Sequence, residues 1–150
     1  MQAQLPLSIL ATAACLCAQG DFDFDKVTPG TLGGTLTLSV ENAPASMPLL
    51  TMVSVTAGPT PITLVDPADS RSVSVGIEVV SLWTFQVTSA TGTSAMSVPL
   101  PNLPSVQGYV FHWQAATLPG ATTLFDQISN PVTTHHVQVQ TSAALPSALL

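Results

Sequence analysis

VPLPNLPSVQGYVFHWQAA, residues 98–116, joins a proline-broken segment to the most aromatic strand of the chain. Pro99, Pro101 and Pro104 each lack the amide donor that a central strand needs, so the first half reads as an ordered crossover at the edge or end of a sheet. The second half alternates. Tyr109, Phe111, Trp113 and Ala115 fall on one side of an extended chain, and Val110, His112, Gln114 and Ala116 on the other. This predicts a strand entered through Gly108, with its aromatic side filling a core.

The same period of two recurs upstream. In TLTLSVE, residues 35–41, Leu36, Leu38 and Val40 alternate with polar neighbours. PLLTMVSVTAG, 48–58, places Leu49, Thr51, Val53 and Val55 on one face, and ITLV, 62–65, follows after Gly58, Pro59 and Pro61 as a short strand. Val73, Val75, Ile77 and Val79 mark another. LWTFQV, 82–87, sets Trp83, Phe85 and Val87 together, while Met96, Val98 and Leu100 lead into the crossover. HHVQVQ, 135–140, is the last, with Val137 and Val139 directed inward. No segment after residue 20 keeps a 3.6-residue period. About eight short strands between Pro, Gly, Asn and Ser turns predict an all-β fold, a two-sheet antiparallel β-sandwich.

Composition narrows the function. The chain of 150 residues has room for one domain, and its 46% hydrophobic content suffices for a continuous core. Only Lys26 and Arg71 are basic, against eight acidic residues and a net charge of −6, so nucleic-acid binding through a cationic patch is excluded. The run LPLSILATAACLC, 5–17, has the length of a signal-peptide core and is too short to span a bilayer. Residues 1–18 are therefore expected to be a signal peptide, and 19–150 a single domain with short flexible tails. Small residues before Cys15 leave a lipid-anchored alternative open, although the leucine of a bacterial lipobox is missing. After cleavage no thiol would remain, because Cys15 and Cys17 are the chain's two cysteines. The tail SAALPSALL, 142–150, is apolar but broken by Pro146, so no membrane span is expected there.

Several stretches invite a chemical reading. DFDFDK, 21–26, puts Asp21, Asp23 and Asp25 on one side, but calcium needs six to eight oxygen ligands, and a solvated N-terminus pinned by Phe22 and Phe24 explains the pattern more simply. VDPADSR, 65–71, fits turn chemistry, with aspartates bonding their own backbone. The three histidines are His112, His135 and His136, and the adjacent pair would point to opposite faces of a strand, so they cannot hold one metal ion together. No G-x-S-x-G elbow or paired carboxylates stand out. No enzyme, metal or cofactor is expected. Trp83, Trp113, His112 and Gln114 remain as ligand-binding candidates, although core packing is the simpler role for the aromatics.

The order TLGGTLTLSVENAP (31–44), SVPLPNLPSVQGYVFHWQAATL (97–118) and ISNPV (128–132) resembles a family of uncharacterised secreted bacterial domains common in planctomycetes. The matching residues are Gly33, Gly34, Pro101, Asn102, Pro104, Gly108, Gln114, Ala115, Ser129 and Asn130. The resemblance implies a secreted β-sandwich and brings no activity with it. The chain is thus expected to be a non-enzymatic structural or adhesive module, secreted or held at the cell surface or in the periplasm. A cell-surface glycan or protein is the partner this calls for. Carbohydrate binding through exposed aromatics and self-assembly through edge strands are the alternatives.

Overall fold

The structure is a computed structural model that describes residues 20–78 and 84–137. The expected signal peptide, Trp83, Val139 and the apolar tail lie outside the described residues. In chain order the strands are β1 (Asp23–Lys26), β2 (Thr35–Glu41), β3 (Pro48–Ser54), β4 (Ala57–Pro61), β5 (Ser72–Val75), β6 (Thr84–Val87), β7 (Ser94–Pro99), β8 (Val110–Thr117) and β9 (Val132–His135). All named pairings are antiparallel. The fold is an all-β sandwich, as the alternation predicts.

One sheet has the order β1-β2-β7 and the other β6-β3-β8-β9. Phe24, Leu36, Leu38, Val40 and Met96 from the first meet Leu49, Val53, Trp113 and Ala115 from the second. Burying a Leu, Val or Phe side chain is worth about 1.5–3 kcal/mol, so this layer is the main source of cohesion. The last four residues of the DFDFDK segment are the edge strand β1, and Phe22 and Phe24 are both buried, so the segment is held to the sheet rather than a mobile end.

The hairpin β4-β5 makes a small third sheet. It lies over the opposite face of the four-stranded sheet, where Leu50, Met52 and Ala116 pack with Ile62, Val73, Val75, Phe125 and Ile128. β3 is therefore buried on both faces, which is why its apolar residues do not alternate. The layer also revises three strand assignments. Ile62–Leu64 is a 3-10 turn rather than a strand. Gly58, Pro59 and Pro61, expected only to separate two strands, lie in strand β4, and the prolines are accommodated because among the described residues it pairs with β5 alone and carries a bulge. Ile77, beyond β5, is exposed rather than inward.

Phe85 and Val87 sit on the same face as Leu50 and Pro48, to which they are paired, but at the sheet's edge where nothing described covers them. Phe85 is 68% exposed. Val137 is exposed too, contrary to its expected inward position, while His136 beside it is buried. The crossover 98–107 keeps its expected character: β7 is an edge strand, and Pro104–Val106 forms a second 3-10 turn. Gly108 then turns the chain with φ +82°, a conformation that side chains with a Cβ adopt at a cost.

Candidate functional site

Trp113 on β8 is buried between the two main sheets, and its indole N–H donates to Thr134 Oγ1 at 2.9 Å. Thr134 Oγ1 lies 3.2 Å from Nε2 of His136. The hydroxyl accepts from the indole and so links the buried tryptophan to the imidazole, whose other ring nitrogen is Nδ1. That Nδ1 lies against Gly30 and has no hydrogen-bond partner. Phe111 meets the imidazole edge to face at a centroid distance of 4.8 Å. His136 also anchors the chain around it: its carbonyl accepts from Gly108 N–H, and its amide donates to the Tyr109 carbonyl.

His136 is 1% exposed, and burial holds its pKa below the usual histidine range, with the Gly30 backbone opposing and His135 and Lys26 adding repulsion. The unfolded chain binds the proton more readily, so folding stability from this group is present above a pKa of about 6.5 and declines as pH falls below it. Denaturant unfolding between pH 8 and 5 is expected to show this decline in the wild type and a flatter profile in His136→Phe. Equal pH slopes for the two proteins would refute the assignment.

Gln114, on the other face of β8, is buried rather than solvent-facing, because β5 and the 128–130 segment cover it. Its side-chain carbonyl accepts from Ser74 N–H at 2.6 Å and its amide donates to the Ser129 carbonyl at 2.7 Å. Ser129 Oγ in turn accepts from Ala115 N–H. Asn130 clasps β1 in both directions, accepting from Phe24 N–H and donating to the Phe24 carbonyl, each at 2.8 Å. His112 is half-buried, with Nδ1 3.5 Å from Thr133 Oγ1. Tyr109 is 53% exposed and so does not fill the core as its alternation suggests, whereas Phe111 is partly buried against it.

Three of the carboxylates accept from backbone amides. Asp21 accepts from Ile128 N–H, and Asp66 accepts from Ala68 and Leu124 N–H. Asp69 accepts from Arg71 N–H in the tight local turn expected of VDPADSR. Beyond that turn, Arg71 reaches the Phe125 and Asp126 carbonyls, a long-range tie with no signature in the local sequence. Among the described residues no group of three His, Cys, Asp or Glu side chains could hold a metal ion. Nor is any helix there long and apolar enough to cross a membrane.

An apolar hollow of about 210 Å³ opens beside Trp113 at the crossover end of the sandwich. It is walled by Val98, Leu100, Pro101, Val106, Phe111 and His136 as well as Trp113. The stretch from Val98 to Trp113 thus contributes most of its lining. Set against models of known protein families the chain matches none, and a search of curated proteins finds no match.

Proposed function

We propose that the chain is an exported, non-enzymatic structural or adhesive β-sandwich module acting at the cell surface or in the extracellular matrix. The observation that carries this reading is where the buried and half-buried polar side chains are spent. Buried Gln114 and Ser129 and half-buried Asn130 bond across segments, and buried Asp69 with Arg71 braces a loop, so the polar chemistry of the interior serves cohesion. A catalytic site instead holds titratable groups poised toward a substrate. Purified protein assayed against ester, peptide and glycoside substrates is expected to give no turnover above the blank. Reproducible turnover that disappears in His112→Ala would overturn the reading.

Self-assembly is the second reading, favoured by β6. Among the described residues this edge strand pairs only with β3, is free of charged side chains, and exposes Phe85 and Val87. Such an edge is a template for pairing with another copy. Light scattering is expected to show association that grows with concentration and is suppressed by Phe85→Lys. A monomer at the highest attainable concentration would remove this reading.

A further inference from the structure

We propose that the hollow beside Trp113 is a binding site for a small uncharged apolar molecule, a single aromatic ring or compact hydrocarbon of about six to eight heavy atoms. The inference is independent of the structural-module reading, since a cohesive domain and a ligand-holding one can share this fold.

Size sets the first limit. Drug-sized ligands occupy roughly 300–1,000 Å³, whereas a dry cavity of about 150 Å³ lined by aliphatic and aromatic side chains takes up benzene. A hollow of about 210 Å³ lies between the two and suits one ring with small substituents. The chemistry of the wall sets the second. Among the described residues no charged side chain lines it, so a charged ligand would lose its hydration without compensation. The Trp113 indole N–H and His136 Nε2 are the wall's bonded polar atoms, and both are already engaged with Thr134. His136 Nδ1 lies against Gly30. Nδ1 is unpartnered but buried there, so among the described residues the wall offers a ligand no accessible polar side-chain atom.

The site is also preformed. Pro99 and Pro101 fix the backbone on the β7 side, and Phe111 and Trp113 are held 6.5 Å apart in a tilted pair on the opposite sheet. Little ordering is left to be paid on binding, which favours affinity for even a small molecule.

The test is thermal unfolding of the full chain with toluene, followed by circular dichroism. A saturable rise of about 3–5 °C at ten times the dissociation constant is expected, with no rise for benzylammonium, which has the same ring and a charge. Val106→Trp from the second 3-10 turn and Val98→Phe from the β7 wall each add bulk to the hollow, and each should abolish the rise. Val98→Phe decides the matter where Val106→Trp fails to fold. Absence of a rise in the wild type, an equal rise with benzylammonium, or a rise that persists in a folded cavity-filling variant would overturn the proposal.

Discussion

Replacing Trp113 with alanine is expected to lower the unfolding free energy by about 3–4 kcal/mol and the melting temperature by roughly 8–15 °C. Removing a buried tryptophan forfeits its transfer free energy and leaves a cavity, together worth about 3–5 kcal/mol in well-packed cores. Trp113 borders a hollow along one side, so its packing is incomplete there and the low end of that range applies. Total stability for a domain of this size is about 5–15 kcal/mol, so the variant retains a fold but a weakened one. Trp113→Phe keeps most of the bulk and loses the N–H donated to Thr134, at a cost of about 1–1.5 kcal/mol. A double-mutant cycle with Thr134→Val isolates the hydrogen bond from the packing. An alanine variant within 1 kcal/mol of wild type in denaturant titration would show that this residue is not the centre of the sandwich.

Arg71→Ala is expected to cost about 2–3 kcal/mol, a large effect for a residue of which more than a third is at the surface. The guanidinium holds both oxygens of Asp69, at 2.9 and 2.7 Å, and donates to the Asp126 and Phe125 carbonyls at 2.9 and 2.6 Å. Exposed ion pairs contribute about 0–1 kcal/mol, whereas breaking a fully buried pair costs about 3–5. This pair falls between the two, because the Arg71 side chain is 37% exposed while that of Asp69 is 2% exposed. The loss leaves a buried carboxylate without its counter-ion and two carbonyls without donors. Lysine cannot form the bidentate fork, so Arg71→Lys restores only part of the stability. Hydrogen bonding to Arg71 holds the Asp69 carboxyl below the usual carboxylate range, with burial opposing. Its contribution is complete above the unfolded pKa of about 3.9 and is lost as pH falls through the lower folded value. Chemical denaturation at pH 7 checks the main effect, and a change below 0.5 kcal/mol would contradict it.

What could be read from the sequence depended on how many faces of a strand are covered. Thr35–Glu41 has one face on the core and one partly open, so its alternation matches the strand end for end. In β3 the pattern Leu49, Leu50, Thr51, Met52, Val53 conceals two faces, because β4-β5 covers the side that alternation alone assigns to solvent. The same cover buries Gln114, whose polar side chain pointed outward on any local argument. Phe85 errs in the other direction: it is as apolar as a core residue, but its strand ends the sheet beyond the cover. His136 came with no local signal either, since its role depends on β9 pairing with β8, which brings Thr134 to Trp113. Turn chemistry was the more legible layer. Asp66 and Asp69 bond the backbone two residues on, and Gly108 takes the positive φ at the entry to β8.

The burial of β3 on both faces bears on what happens before the chain has folded. From Asn42 to Val65 no residue carries a charge, and Pro48–Ser54 lies within that run. Exposed, such a segment has the apolar, uncharged character that stacks copies of a chain into fibrils. Pro44, Pro48, Pro59 and Pro61 interrupt the run at both ends and act as gatekeepers against that stacking. The two outer layers complete the protection once they close over the strand. Damage to either layer, at Arg71 as much as at Trp113, therefore threatens solubility as well as stability, and it does so through a segment that neither residue belongs to.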